Sequence, residues 1–396
     1  LSPSGVGTQT KYMIEALLKS GRYKFICLGG AIKHHDYRPV KVDGYGDDWI
    51  IHPVDGYGNQ EMIRGLLQKE KPDVIWFMTD PRFYEWLWEI ENEVRANVPM
   101  MYYHVWDNFP PPYFNGKYYR SNDKVVCISK VTYKILQTVA PEVDSCYLPH
   151  AVHSNIFKPA TTPEEIKQVK EVRKAIDDMS SMDNPKKKVF FWNNRNARRK
   201  QSGTIWWFKE WLDQVGHDKA SLLMHTDAQD PHGQDLPHII EHLGLTDGQV
   251  MLSTNKVSPE QLADYYRACD YTINISDAEG FGLATLESLA CGSPIIVNMT
   301  GGLQEQVTNG EEWFGWGIQP SSKSVIGSLQ VPYIYEDRIN QQDFEKMLSK
   351  AIKLPKKRYD AMAIAGRQHV LDNYNFETYE KSWVNIMDDF IEKNGS

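Results

Sequence analysis

Strand-like and helical runs alternate along most of this chain, and that alternation limits its fold more than any other feature. Helices are expected from Gly7 to Ser20, Gln60 to Lys69, Phe83 to Ala96 and Val131 to Ala140. Strands are expected from Lys24 to Leu28, Trp49 to Pro53, Asp73 to Met78, Met100 to His104 and Lys124 to Ser129. A charged stretch, Thr161 to Lys188, breaks the pattern, which restarts at Val189-Phe190-Phe191-Trp192. It continues through strands Ser221 to His225, Gln249 to Leu252, Tyr271 to Ile275 and Pro294 to Asn298, with a helix from Pro259 to Cys269 between them. Alternation at this spacing builds parallel sheets with helices on both faces. At 396 residues the chain is long enough for two such doubly wound α/β domains, each with its own core. The expected limits are 1–160 and 161–375, with 376–396 a C-terminal helix packing back toward the first domain. Ser321 to Ser328, rich in Ser and Gly, reads as part of an inserted loop within 311–335.

Charge and cysteine usage narrow the partners. A net charge of -8 argues against a nucleic-acid surface. The five cysteines are odd in number and lack metal-ligand spacing, so they read as buried thiols in a reducing compartment, and a soluble, cytoplasmic protein is expected. No window approaches 18 consecutive apolar residues, so no transmembrane segment is expected. The chain opens on Ser2-Pro3-Ser4-Gly5, a loop composition of the kind that follows a strand, and a preceding first strand is expected outside this numbering.

The densest chemistry lies in Glu279-Gly280-Phe281-Gly282-Leu283-Ala284-Thr285-Leu286-Glu287. A strand should end just before it, and Leu283 to Ala290 is helix-forming, so the glycines fall at a strand-to-helix junction. Gly280 and Gly282 let a ligand approach the backbone, and the helix start offers N–H groups to an anion such as a diphosphate. Glu279 and Glu287 stand about two turns apart and suit hydroxyls at two ends of one elongated ligand; the plainer alternative is a capped core helix. Arg195 and Lys200 bracket the loop after the first strand of the second domain. Together they would neutralise a diphosphate and stabilise it as a leaving group, unless the loop is simply a solvated basic one.

With these residues in place, the chain resembles retaining glycosyltransferases of the two-Rossmann-domain (GT-B) type, glycosyltransferase family 4-like. The resemblance implies two Rossmann-like domains facing a central cleft, the first on the acceptor side and the second holding the donor. Glu279 and Glu287 are similar to the family's paired glutamates, which implies sugar hydroxyls for the first and the nucleotide ribose for the second. Arg195 and Lys200 match its Arg-x4-Lys pair on the donor diphosphate. Ser4-Gly5-Val6-Gly7 resembles the glycine loop near the phosphates and acceptor, so Gly5 and Gly7 join the donor-binding set. Tyr147-Leu148-Pro149-His150-Ala151-Val152-His153 through Phe157-Lys158-Pro159 resembles the interdomain stretch, although His150, Ala151 and His153 replace the commoner Asn, Gly and Asp.

The resemblance implies further roles. His104 would hydrogen-bond the transferred sugar, the alternative being a histidine satisfied within its loop. Asp107 and Asn108 would read an acceptor hydroxyl, or serve a turn. Lys256 and Val257 would meet the base through their backbone, and Gly280, Phe281, Gly282, Leu283, Ala284 and Thr285 would line the donor. The implied activity is a retaining hexosyltransferase with a nucleoside diphosphate sugar as co-substrate, no cofactor and no metal. Its acceptor would be a carbohydrate, lipid-linked or small molecule, with no nucleic acid expected. A non-catalytic sugar-nucleotide-binding subunit and a sugar-nucleotide epimerase stay open as alternatives. The His and Asp residues of His225 to His232 lack the arrangement of a metal site, and Trp207 and Trp211 share a helix face that suits a core.

Overall fold

The computed structural model describes residues 4–30, 32–106, 109–201 and 204–395; Asp107 and Asn108 lie outside them. Two compact units emerge, the first from residues 4–106, 110–151 and 376–395, the second from residue 109 and 152–375. The boundary thus falls after Ala151 rather than after residue 160.

In the first unit the strands are β1 (Phe25–Gly29), β2 (Val40–Lys41), β3 (Trp49–Pro53), β4 (Ile75–Met78), β5 (Met100–His104), β6 (Lys124–Cys127) and β7 (Ser145–Tyr147). They form a three-stranded sheet in the order β1-β3-β2 and a four-stranded parallel sheet in the order β4-β5-β6-β7. Strand β5 is buried along its whole length, as an interior strand of a parallel sheet must be when helices cover both faces. The first helix, Gly5–Lys19, starts earlier than its apolar pattern suggests because the Ser4 hydroxyl accepts from the Gly7 amide at 3.1 Å and caps it. Gly5 and Gly7 therefore sit in a helical turn. The last helix, Phe376–Asn394, packs against this one within the same unit. Phe376 meets Tyr12 edge-on, and Trp383 packs against the Trp76 and Tyr103 rings.

One expected helix is not continuous. The stretch from Phe83 to Ala96 splits into a 3-10 turn, Pro81–Tyr84, and two short helices, Glu85–Trp88 and Glu91–Arg95. Asp80 caps the Arg82 amide, and the Trp88 indole donates to Pro81 O at 2.7 Å, which curls the segment back on itself.

The second unit holds β8 (Lys188–Asn193), β9 (Ala220–His225), β10 (Val250–Ser253), β11 (Tyr271–Asn274), β12 (Ile295–Asn298) and β13 (Gly315–Ile318). They form one parallel sheet in the order β10-β9-β8-β11-β12-β13, so the direction of winding reverses between β8 and β11. Open sheets of this kind bind ligands beyond the strand carboxyl ends at that reversal. The core behind it is aromatic, with Phe190, Phe208, Trp211 and Tyr271 buried together, while Trp207 packs on its margin. The region read as an inserted loop is instead an antiparallel hairpin of β14 (Ser322–Ile326) and β15 (Ile334–Arg338). Its Val325, Ile326 and Ile334 carry strand preference that the flanking Ser and Gly residues dilute. No helix among the described residues is long and apolar enough to cross a membrane, and all five cysteines are free.

Candidate active site

The loop after β11 leads into the helix Leu283–Ala290 through Gly282, whose φ of +91° lies in the left-handed region. Gly282 has no side chain to cap the helix, so its first turn presents backbone N–H groups in the way an anion requires. A second glycine pair, absent from the sequence-based reading, shapes the same turn. A Cβ on Gly301 would lie 1.8 Å from Glu279 O, and one on Gly302 would lie 2.6 Å from Gly280 O. The Gly302 amide donates to Glu279 O at 3.0 Å, so backbone packs directly on backbone. Gln306 completes the support, donating to Phe281 O at 2.7 Å and Gly282 O at 3.0 Å and accepting from Thr285 Oγ1 at 2.6 Å. The only hint in sequence was two glycines just past a strand.

Lys200 and Glu279 form an ion pair, with 13% and 15% of their side chains exposed. Asn274 Nδ2 donates to the same Glu279 oxygen at 3.1 Å, and Arg199 donates to Ala278 O at 2.8 Å. Burial acts to raise the Glu279 pKa, but Lys200 and Arg199 outweigh it and hold the group below its ordinary value, as a carboxylate. Arg195 is placed differently from Lys200. Its guanidinium is 61% exposed and bonds to Asp230 in the loop after β9 at 2.8 Å, holding that carboxylate down at about 2. The two cations expected to act as a pair thus have separate partners.

Glu287 lies inside the helix, partly buried, and accepts from Tyr266 OH at 3.4 Å; Tyr266 in turn accepts from Asn193 Nδ2 at 2.9 Å at the end of β8. Burial pushes the Glu287 pKa up to about 8 against the effect of the tyrosine hydrogen bond. His225, at the end of β9, shares a hydrogen bond with Ser253 at 2.9 Å, and burial lowers its pKa. Lys256 and Val257 follow β10, the lysine exposed and the valine half-buried. Asn193, Tyr266, Asn274 and Gln306 went unread because each matters through a tertiary contact.

In the first unit His104 closes β5. It is 0% exposed, with Nε2 2.9 Å from Tyr119 OH and Nδ1 3.9 Å from Cys127 Sγ, and burial holds its pKa down at about 3. It is an internal neutral imidazole satisfied by its neighbours, because it belongs to a strand buried on both faces. Among the described residues no group of three or more His, Cys, Asp or Glu side chains is arranged to hold a metal.

Residues 173–369 match the family described as glycosyl transferases group 1. A D-inositol 3-phosphate glycosyltransferase of Paenarthrobacter aurescens is 37% identical over 76 residues, 19% of this chain and 18% of that protein. An alpha-monoglucosyldiacylglycerol synthase of Streptococcus pneumoniae is 26% identical over 178 residues, 44% of this chain and 37% of that one. The matched stretches therefore span well under half of these relatives. Among solved structures, a sucrose-phosphate synthase from Thermosynechococcus elongatus superposes with a TM-score of 0.75 at 15% identity, covering 98% of this chain and 94% of that one. Anabaena Alr3699/HepE in complex with UDP and glucose gives a TM-score of 0.70 at 14% identity, covering 98% and 97%. At such identities the likeness is one of fold, the GT-B fold of two Rossmann-like domains.

Proposed function

Since residues 173–369 match the glycosyl transferases group 1 family, we propose that the chain transfers a sugar from a nucleoside diphosphate sugar to an acceptor hydroxyl with retention of anomeric configuration. The observation that carries this reading is the Lys200–Glu279 pair, held by Asn274 beside a glycine turn that opens a helix without a side-chain cap. One ammonium, one ionised carboxylate and a row of amides sit where the sheet's winding reverses. Such a set suits the three chemistries of one donor: diphosphate, sugar and nucleoside.

In this mechanism the bond from the anomeric carbon to the diphosphate oxygen breaks, and the acceptor oxygen bonds to that carbon on the same face. The acceptor proton passes to the departing phosphate. Negative charge grows on the diphosphate, and Lys200 and the amides of Gly280 to Thr285 stabilise it in place. Arg195, whose side chain is 61% exposed, joins them by exchanging Asp230 for phosphate. Glu279 stays ionised and orients the sugar hydroxyls, while Glu287 accepts from the ribose. The reading assigns no metal or cofactor and gives His104 no contact with substrate. The named relatives differ in their chemistry, one named for inositol 3-phosphate and the other for making a monoglucosyldiacylglycerol, so the acceptor is proposed only as a carbohydrate, lipid-linked or small-molecule hydroxyl.

Purified protein supplied with UDP-, GDP- and ADP-sugars and an acceptor panel should release nucleoside diphosphate and form a glycoside of the donor's own anomeric configuration, detectable by NMR. Donor binding without turnover on any acceptor would favour a sugar-nucleotide-binding subunit instead.

A further inference from the structure

Strand β15 ends in Glu336-Asp337-Arg338, and its polar groups reach three loops at the carboxyl ends of the parallel sheet. Glu336 is charged yet 1% exposed. Its oxygens accept from the Arg198 guanidinium at 2.7 and 3.1 Å, and Arg338 donates to it at 2.8 Å. The Asp337 amide donates to Asp277 O at 2.8 Å, and its carbonyl accepts from Asn298 Nδ2 at 2.8 Å. Its carboxylate accepts from Thr300 Oγ1 at 2.8 Å and Lys323 Nζ at 2.6 Å. Buried Asp277 accepts from Gln201 Nε2 at 2.6 Å, and its amide donates to Arg199 O at 2.9 Å.

The three loops joined in this way carry Lys200, Glu279 and the Gly301–Gly302 pair. Lys200 closes a 3-10 turn, Arg198–Lys200, that ends at Gln201 with a φ of +63°. A residue other than glycine keeps that conformation when its surroundings hold it there. Here they do, with Arg198 fixed to Glu336 on one side of Lys200 and Gln201 to Asp277 on the other. Stability alone does not account for the buried carboxylate, because well-packed apolar residues often replace a buried ion pair without loss. A guanidinium–carboxylate fork does fix direction as well as distance.

We propose that the hairpin of β14 and β15 braces the diphosphate end of the donor site, and that Glu336 is a positioning residue that acts through Arg198 to set where Lys200 stands. The inference rests on the donor-site reading above. Its consequence is a specific one: Glu336 governs how strongly the site prefers a nucleoside diphosphate to the matching monophosphate.

Calorimetric titrations of the full chain with UDP, GDP and ADP, and with UMP, GMP and AMP, test it. Lys200→Ala should shrink the preference for the diphosphate. Glu336→Gln should shrink it about tenfold, within the coupling expected of residues in contact, and leave monophosphate affinity unchanged. In a Lys200→Ala background Glu336→Gln should have no further effect. Arg198→Ala, at a side chain 63% exposed, should reproduce the Glu336→Gln result and covers the case in which that variant does not fold. An unchanged preference in a folded variant, equal weakening of both ligands, or an effect fully additive with Lys200→Ala would overturn the brace. If no nucleotide binds, or Lys200→Ala itself leaves the preference unchanged, the donor-site reading fails and the brace falls with it.

Discussion

The carboxyl ends of β5 and β11 invite comparison, because His104 closes the first strand and Glu279 lies in the loop that follows the second. His104 ends in a closed environment, hydrogen-bonded to Tyr119 and without exposed surface. Glu279 ends in an open one, paired with Lys200 beside a turn that three glycines keep free of side chains. The contrast shows that position at a strand end does not decide whether a polar group stays accessible. The neighbouring backbone does: where glycines withdraw side chains a charged group stays reachable, and where aromatic rings close in it becomes part of the core.

The largest test of this contrast is removal of the open pair. Lys200→Ala or Glu279→Ala should lower the transfer rate by about 10²- to 10³-fold, the effect of deleting one preorganised charge-stabilising group, measured by steady-state kinetics. Wild-type rates in either variant would break the comparison at its functional end.

Next come the glycines that keep the turn open. Gly301→Ala would drive a methyl group against Glu279 O, and a loss of roughly 2–4 kcal/mol is expected in chemical denaturation. An unaffected variant would show that the backbone approach is looser than the structure has it.

At the closed end, His104→Ala leaves a cavity and an unpaired Tyr119 hydroxyl, for a loss of roughly 2–3 kcal/mol with donor affinity intact. Normal stability combined with lost transfer would return His104 to the substrate.

A further test concerns pH. The Glu287 pKa stands at about 8 in the folded protein and near 4.5 in the unfolded chain, so between these values the native state binds more protons. Its contribution is fully present below about pH 4.5 and is lost as pH rises through 8. Glu287→Gln should therefore raise the melting temperature relative to wild type at pH 8.5 and leave the two alike at pH 4; the same difference at both pH values would contradict the assigned burial.

Local signals made much of this legible in sequence. The glycine turn, Glu279, Glu287 and the helix Leu283–Ala290 announce themselves through composition within twelve residues, and strands such as β3 and β5 through short runs rich in apolar residues. Features made by distant segments were not legible. Gly301 and Gln306 lie more than twenty residues from Glu279 and the Phe281 carbonyl they support, and the partner that draws Arg195 away from Lys200 is thirty-five positions along the chain. The hairpin of β14 and β15 was hidden because Ser and Gly dilute its strand preference, although its Glu336 proves to be among the most buried charges described.

The most direct test of the donor site is thermal denaturation of the full chain over a concentration series of UDP-glucose, GDP-mannose and ADP-glucose. The account predicts that one of them raises the melting temperature in step with the logarithm of its concentration, and that Lys200→Ala sharply reduces this shift. No shift with any donor, or the same shift with and without Lys200, would contradict it.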